Sequence, residues 1–234
     1  MFNIKNFNNK YYKIPTLFPA AGGGSILPPE LQACEYLETD GNCYIYTGVA
    51  AMNFKNFELK FSIASGSVGN SIVWGSRTTN AVNNYIIYPA ITTNEFRIWY
   101  GSSSAFYQSL NLTDNKDFIV KANNNTFEVY DFNGNLIFSH TFNLYSFYPN
   151  YQLLLFGAQL PSLSYAQSET KIYNNKLDNL RNFVACYVKT GQTFVDNKGN
   201  TCPAGTPGMY DTINHVFYTN DGQGNFTCGQ DINI

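Results

Sequence analysis

The stretch FKNFELKFSI, residues 54–63, alternates between apolar and polar side chains over its last seven positions. Phe, Leu, Phe and Ile occupy positions 57, 59, 61 and 63, and Glu, Lys and Ser occupy the positions between them. Successive side chains of an extended chain point to opposite faces, so this period of two predicts a β-strand with one buried and one solvated face.

Similar short segments follow, separated by turns rich in Asn and Gly. Residues 95–100 alternate again, and residues 118–121, 126–132 and 135–142 predict a meander. The dipeptide Asn133-Gly134 between the last two segments is typical of a tight hairpin.

Further along, residues 152–157 are continuously apolar and predict a central strand. Residues 170–173 predict a strand that ends in a turn at Asn174-Asn175. No stretch longer than about two turns has a helical period. The pattern as a whole favours an all-β fold, an antiparallel β-sandwich of jelly-roll type.

The composition excludes several classes of protein. The 234 residues are 44% hydrophobic and 17% aromatic, which is enough for a buried core and too much for a disordered chain. Only 13% are charged, and the net charge is −2, which argues against a nucleic-acid-binding partner. No apolar run reaches about 18 residues, so we expect no membrane insertion.

The first 30 residues differ from the rest. Residues 20–25 read AAGGGS and predict a flexible hinge, and the segment before them contains no apolar core of a secretory signal. Residues 1–30 are too short to bury a core of their own, so we expect an extended arm held by a partner, followed by a sandwich over residues 31–234. The expected anchors of this arm are its aromatic side chains: Phe2, Phe7, Tyr11, Tyr12 and Phe18.

The five cysteines suggest neither a zinc site nor a cofactor. Their spacing forms no Cys-x-x-Cys motif, and His140 and His215 are the two histidines. We therefore predict no metal ligands and no cofactor. Cys34 and Cys43 are either free thiols or a bridge across the first strand pair, and Cys186 is interpreted as a core residue.

Aromatic residues in the middle of the chain are candidates for glycan binding, because aromatic rings stack on the apolar face of a pyranose. The predicted glycan-binding residues are Trp99, Arg97, Tyr100 and Trp74. Tyr85, Tyr88, Tyr107 and Gln108 form a wider candidate set. The alternation of residues 95–100 places Arg97 and Trp99 on one face, opposite Phe96 and Ile98. The alternative is that half of these rings belong to the core.

Catalysis is not expected. A glycosidase needs two carboxyl groups at a defined separation, and on a sandwich these commonly lie two residues apart on one strand. Glu58, Glu95 and Glu128 are isolated acids on their predicted strands. No catalytic residues are therefore predicted.

Three segments resemble a known family. The first is the opening with Leu31, CEYLE at 34–38, Gly41, Tyr44-Ile45 and Thr47-Gly48. The second contains KIY at 171–173, Leu180-Arg181, Phe183-Val184 and Cys186, and the third contains GMYD at 208–211, Phe217-Tyr218 and the glycines up to Gly229. Together they are similar to the concanavalin A-like, laminin-G-like jelly-roll domains of gut bacteriophage virion proteins, including those of crAss-like phages. The chain departs from that pattern at Asp40, Cys43 and Tyr46, so no ligand role is carried over there.

The resemblance implies a fold and a setting. It implies a domain displayed on a phage particle or a bacterial surface. Together with the low charge, the missing secretory signal and the N-terminal arm, this favours a non-enzymatic virion structural protein, such as a head fibre, a capsid-decoration protein or a tail-associated protein, assembled in the bacterial host cytoplasm. Its expected partners are other virion proteins and further copies of the chain, with a trimer as the common state of fibres. A host surface glycan is an additional expected ligand. The alternatives are a carbohydrate-binding module of a bacterial surface protein and, less favoured, a glycoside hydrolase.

Overall fold

The computed structural model describes residues 26–50, 55–63, 72–77, 84–101, 104–112, 116–143, 152–159, 164–166 and 169–234. The five aromatic anchors predicted for the N-terminal arm, Phe2, Phe7, Tyr11, Tyr12 and Phe18, lie outside the described residues. Within the described ranges, no helix has the length and apolar character needed to cross a bilayer.

In this part of the chain the backbone forms 21 strands and one short 3-10 turn, Ile91–Thr93. The first eleven strands are β1 (Leu31–Ala33), β2 (Leu37–Thr39), β3 (Ile45–Ala50), β4 (Asn56–Ile63), β5 (Trp74–Arg77), β6 (Asn84–Ala90), β7 (Glu95–Gly101), β8 (Ser104–Ser109), β9 (Asp117–Asn123), β10 (Thr126–Tyr130) and β11 (Leu136–Thr141). The others are β12 (Gln152–Leu155), β13 (Gly157–Gln159), β14 (Ser164–Ala166), β15 (Thr170–Leu177), β16 (Arg181–Val188), β17 (Phe194–Val195), β18 (Thr201–Cys202), β19 (Pro207–Asp211), β20 (Val216–Tyr218) and β21 (Phe226–Cys228).

Two large sheets make up the sandwich. The larger sheet has 11 strands, eight of them in the order β11-β10-β9-β4-β15-β16-β19-β20; β1 pairs with β16, and β2 lies between β15 and β21. The smaller sheet has eight strands, with β14-β13-β5-β6-β7-β8 in one row and β12 between β3 and β5. The pairing is antiparallel throughout these sheets except between β13 and β5. The predicted all-β sandwich is therefore confirmed, as is a central strand within residues 152–157.

The core lies between the two sheets and is rich in aromatic rings. The odd positions 57, 59, 61 and 63 of β4 are all buried, as their alternation predicts. Phe61 on β4 meets Phe96 on β7 with ring centroids 6.2 Å apart, and Phe106 on β8 stacks on His140 on β11 at 4.0 Å. A second, smaller cluster surrounds Phe217. Apolar contact between the sheets thus accounts for the sandwich.

The predicted turn at Asn174-Asn175 is wrong. Strand β15 continues to Leu177, and a register shift between Ile172 and Asn174 turns Asn175 into the interior, where its Nδ2 donates to the Glu58 carbonyl at 3.0 Å. The turn comes later, at Asp178, which has a left-handed φ of 44°. Two Asn residues in sequence are typical of a turn, but here a bulge accommodates them within the strand.

Each of the three segments that carry the family resemblance contributes strands to the larger sheet. Leu37 of β2 pairs with Ile172 of β15 and with Cys228 of β21. In the same sheet, Val184 of β16 pairs with Tyr210 of β19. Most of the residues that carry the resemblance therefore lie on strands of the larger sheet, whereas Ile45, Thr47 and Gly48 lie on β3 of the smaller sheet.

Candidate functional site

The outer face of the smaller sheet presents a row of three side chains from adjacent strands. Tyr88 on β6 pairs with Arg97 on β7, and Arg97 pairs with Tyr107 on β8. Residues directly opposite one another on antiparallel strands project from the same face. The three side chains therefore form one row across the sheet, which we call the Arg97 row.

Arg97 lies between the two tyrosine rings. Its guanidinium carbon is 5.4 Å from the centre of the Tyr88 ring and 5.2 Å from that of Tyr107. A guanidinium close to an aromatic face is attracted by the negative charge of the π-system. The sheet register thus positions a planar cation between two rings.

A carboxylate fixes the guanidinium in this position. Glu95 Oε2 accepts hydrogen bonds from Arg97 Nε at 2.9 Å and from Arg97 Nη2 at 2.6 Å. Thr93 Oγ1 accepts a further bond from Nη2 at 3.1 Å and lies 3.0 Å from the same carboxylate oxygen. These bonds with Arg97 hold the pKa of Glu95 below its usual range. Nη1 makes no hydrogen bond to a described residue.

Exposure along the row is uneven. The Tyr107 side chain is the most open, with the residue 49% exposed, whereas Tyr88 and Arg97 are half-buried. Burial raises the pKa of the Tyr88 hydroxyl. A ligand would therefore meet the Tyr107 ring first and the guanidinium beside it.

Trp99 shares this face, two residues along β7 from Arg97. It pairs with Ile86 on β6 and Ala105 on β8 and is half-buried. Its indole nitrogen has no solvent-accessible surface. Trp99 can therefore offer part of a ring surface to a ligand but not its N–H group.

Two of the four predicted glycan-binding residues are wrong. Trp74 is fully buried and stacks on Phe57 in the core at 4.4 Å, and Tyr100 faces inward, with its ring 5.5 Å from that of Phe127. In β7, Tyr100 shares the inward face with Phe96 and Ile98. Tyr85 of the wider set is also a core residue, at 2% exposure. A large ring gains most by burial, so ring type alone does not identify a surface site.

The structure places four residues of the predicted and wider sets on one face and adds Glu95 to the site. Arg97, Trp99, Tyr88 and Tyr107 share the outer face, whereas Gln108 pairs with the inward Phe96. The sequence identifies Glu95 only as an isolated acid on a strand and does not reveal it as the partner of Arg97. The pattern that could have found it is its position two residues before Arg97, on the same face of a strand.

A second aromatic surface lies on the outer face of the larger sheet. The rings of Phe132, Tyr173 and Tyr36 form a chain with centroid distances of 5.0 and 5.4 Å, which we call the aromatic row. Lys60 Nζ lies 4.3 Å from the Phe132 ring centre, and Lys171 Nζ lies 4.4 Å from that of Tyr36. These rings come from three distant parts of the sequence, so alternation within a single strand could not reveal the row.

A polar groove of about 1080 Å³ runs beside it, over β4, β9, β10 and the end of β15. Glu58, Lys121 and Glu128 pair across three strands there, so two acids that are isolated in the sequence flank one lysine. Glu58 is engaged with Lys121 Nζ at 3.3 Å, and Glu128 accepts the Tyr130 hydroxyl at 2.7 Å. Each carboxylate thus has a structural partner.

Comparisons with known proteins point to the fold. No family model matches the sequence, and no curated protein matches it. A candidate carbohydrate-binding protein from Bacteroides ovatus, solved by crystallography, is similar to the chain with a TM-score of 0.50 at 11% identity, over 86% of this chain and 62% of that one. The K499G mutant of the NanB sialidase from Streptococcus pneumoniae gives a TM-score of 0.41 at 9% identity, over 85% of this chain and 39% of that one. The chain thus spans less than two thirds of either protein, and the first likeness supports an all-β, sandwich-type fold.

Proposed function

We propose that the chain binds carbohydrate through the Arg97 row on the outer face of its smaller sheet. The observation that supports this most strongly is the guanidinium of Arg97, which Glu95 holds between the rings of Tyr88 and Tyr107. An exposed tyrosine ring packs against the C–H face of a sugar, and a fixed N–H pair donates to its hydroxyl groups. The structural neighbour from Bacteroides ovatus, itself a candidate carbohydrate-binding protein, is consistent with this proposal.

The charge balance of the row favours an uncharged sugar. Glu95 compensates the charge of Arg97 through two hydrogen bonds to one oxygen. A guanidinium that is already paired gains little from a second anion, because the attraction is offset by repulsion from Glu95. We therefore expect neutral polysaccharides to bind better than sialylated or uronic-acid glycans.

The test is a polysaccharide array followed by calorimetry on the strongest ligand. Tyr107→Ala is expected to weaken binding about five- to thirtyfold, since stacking on one ring contributes on the order of 1–2 kcal/mol. Tyr130→Ala is the matched control, because Tyr130 also lies on the outer face of a strand but in the larger sheet. Loss of binding in Tyr130→Ala with full binding in Tyr107→Ala would contradict the assignment to the smaller sheet.

For the biological setting, we propose a structural protein of a bacteriophage particle: a head-fibre, capsid-decoration or tail-associated protein. What supports it is the resemblance of the three segments at 31–48, 171–186 and 208–229. In this proposal the protein assembles in the host cytoplasm, residues 1–30 attach it to another virion protein, and the sandwich displays its glycan-binding face. The alternative setting is a carbohydrate-binding module of a bacterial surface protein.

The anchoring proposal is tested with the full chain. Phe7→Ser combined with Tyr12→Ser and Phe18→Ser is expected to leave the melting temperature unchanged and to abolish attachment to phage particles. Light scattering of the wild-type chain then separates two cases. A wild-type monomer that attaches only to particles indicates a foreign partner. A wild-type oligomer, together with a monomeric triple variant, indicates self-assembly. Normal incorporation of the triple variant would overturn the proposal.

We further propose that the protein is not an enzyme. Support comes from the acids on the strands, which form pairs: Glu58 with Lys121, Glu95 with Arg97, and Glu128 with the Tyr130 hydroxyl. A general acid of a glycosidase needs a raised pKa, whereas Arg97 holds the pKa of Glu95 below its usual range. The check is an assay for new reducing ends on each polysaccharide that binds, and release of sugar that Glu58→Gln abolishes would contradict the proposal.

A further inference from the structure

The Arg97 row has a regular repeat that sets the spacing of any ligand lying along it. Its side chains come from the adjacent strands β6, β7 and β8, at positions that pair directly. Neighbouring strands lie about 4.8 Å apart, so Tyr88 and Tyr107 are separated by about 10 Å at the backbone. The guanidinium of Arg97 lies between them, 5.4 and 5.2 Å from the two ring centres. Rings and a hydrogen-bond donor therefore alternate at about one strand spacing.

The direction along β7 offers a different pattern. The outer-face residues Glu95, Arg97 and Trp99 are two positions apart, which corresponds to about 6.8 Å. Glu95 is bound to Arg97, and Trp99 is half-buried with an inaccessible indole nitrogen. The regular alternation of ring and donor is thus found across the strands, and a ligand that uses all of the row must lie in that direction.

The row is closed on one side and open on the other. Beyond β6 lies β5, whose residues 74–76 are all buried, so protein covers its outer face. On the other side, β8 is the last strand of its row within the described part of the smaller sheet, and Tyr107 is exposed. A ligand longer than the row therefore leaves the sheet past Tyr107.

Polysaccharides differ in how they present their sugars to such a row. Pyranoses joined by equatorial bonds at C1 and C4, as in β-1,4-linked glucans, form an extended ribbon that advances by about one strand spacing per sugar. Each sugar is turned over relative to the one before it, so alternate sugars present the same face. An α-1,4-linked glucan has an axial bond at C1 and curls into a helix, which turns successive sugars away from a straight row.

We propose that the Arg97 row recognises a neutral polysaccharide of the extended, β-1,4-linked class, bound across strands β6 to β8; this inference rests on the proposal that the row binds carbohydrate. Tyr88 and Tyr107 contact alternate sugars through the same face, and the guanidinium of Arg97 donates to oxygen atoms of the inverted sugar between them. Three consecutive sugars fill the row. Further sugars lie past the edge of β8 and contribute little.

The dependence of affinity on ligand length follows from this geometry. Once one ring has bound a sugar, the other ring meets the next sugar but one at a high effective concentration, because both belong to the same chain. A stiff ribbon also loses less conformational freedom on binding than a flexible chain does. The step from two to three sugars should therefore raise the affinity about five- to thirtyfold, as expected for one additional ring contact.

The experiment is calorimetry of the full chain with oligosaccharides of two, three, four and six sugars. The probes are β-1,4-linked glucose, mannose and N-acetylglucosamine, and α-1,4-linked glucose of the same lengths is the comparison. We expect at least one β-1,4-linked series to show the rise between two and three sugars and less than about a twofold change beyond it. The α-1,4-linked series should bind at least about tenfold more weakly at each length.

Two variants assign the length dependence to the row. In Tyr107→Ala a disaccharide still has Tyr88 and Arg97, so a trisaccharide should bind no better than a disaccharide. Tyr130→Ala, the matched change on the larger sheet, should keep the full rise between two and three sugars. Tyr107 is exposed, so its replacement should leave the melting temperature unchanged, and a loss of the rise is then a loss of contact with the ligand.

The outcomes separate this inference from the proposed function. A strongest ligand on the polysaccharide array that lacks a β-1,4 linkage, or an affinity that does not depend on the third sugar, overturns the ligand class but leaves carbohydrate binding intact. A rise that persists in Tyr107→Ala and disappears in Tyr130→Ala overturns the assignment to the row. Failure of every polysaccharide on the array to bind contradicts the proposed function itself, and this inference with it.

Discussion

The ring of Phe57 and the indole of Trp74 stack with centroids 4.4 Å apart and planes inclined by 24°. Phe57 belongs to β4 of the larger sheet and Trp74 to β5 of the smaller one, so the pair joins the two sheets. Trp74→Ala is expected to lower the free energy of unfolding by about 3–5 kcal/mol through the cavity it leaves. Urea denaturation measures this loss. Trp99→Ala, at a half-buried position on the outer face, should lower the free energy of unfolding clearly less. Equal losses of stability in the two variants would contradict the burial of Trp74.

A second prediction concerns the close approach at Gly208. A Cβ atom built there would lie about 2.4 Å from the Tyr218 carbonyl oxygen and 2.6 Å from the Phe217 ring, both on the paired strand β20. Gly208→Ala should therefore destabilise the protein by about 1–3 kcal/mol or more by overpacking. Gly134→Asn is the control, because Gly134 has open space and a φ of 84° that Asn tolerates. Similar melting temperatures for the two variants would count against this packing.

His140 gives a prediction about pH. Its ring stacks on Phe106 at 4.0 Å, and burial lowers its pKa below the usual value. The unfolded chain therefore binds a proton more readily than the folded one, so stability should fall as the pH drops through about 6.5. His140→Phe should reduce the change in melting temperature between about pH 7.5 and about pH 5.5.

The comparison variant for His140 is His215→Asn. Asn suits the left-handed φ of 58° at this position. It should leave the pH dependence associated with His140 in place. If His140→Phe keeps the full dependence on pH, the stacked ring is not its source.

A fourth prediction concerns Asp196 in the turn between β17 and β18. Burial tends to raise the pKa of this carboxyl, but hydrogen bonds from Asn200, Thr219 and the Lys198 backbone outweigh it and lower the pKa. The stabilisation is present above the unfolded pKa of about 3.8 and is lost as the pH falls through the lower folded value. Asp196→Asn should lower the free energy of unfolding by about 1–3 kcal/mol at neutral pH, measured by urea denaturation. Asp131→Asn, in an exposed turn with similar bonds, should cost less.

Alternation predicted strands that have one buried face, such as β4 and β7, but not the complete set of site residues. In β4 the side chains at 57, 59, 61 and 63 are buried as predicted, since a period of two has a single interpretation when one face is buried. In β7 the same reasoning placed Arg97 and Trp99 on the outer face. The prediction for Trp74 failed because β5 is short and its sequence, WGSR, shows no alternation. Residues 74–76 are all buried, so both faces of the strand meet protein.

The partners of the site residues depend on strand register. Register is a property of two paired strands, so the sequence pattern of one strand does not predict it. Tyr107 meets Arg97 because β8 pairs with β7 in one particular register, and a shift by one residue would turn Tyr107 to the other face. The same holds for the aromatic row, which combines Tyr36, Phe132 and Tyr173 from three separate regions. Pairings between residues far apart in sequence, including Leu37 with Cys228, follow only from the assembled sheet.

The position of β2 between β15 and β21 determines when the protein can finish folding during its synthesis. Leu37, a fully buried residue, pairs with Cys228 on one side and Ile172 on the other. At about 5–20 residues per second, roughly 10–40 s pass between the synthesis of residue 37 and that of residue 228. Throughout that interval the edge of β2 that faces β21, with its buried Leu37, stays open to other chains. The growing polypeptide should therefore depend on protection from chaperones, and completion of the larger sheet should follow translation of residue 228.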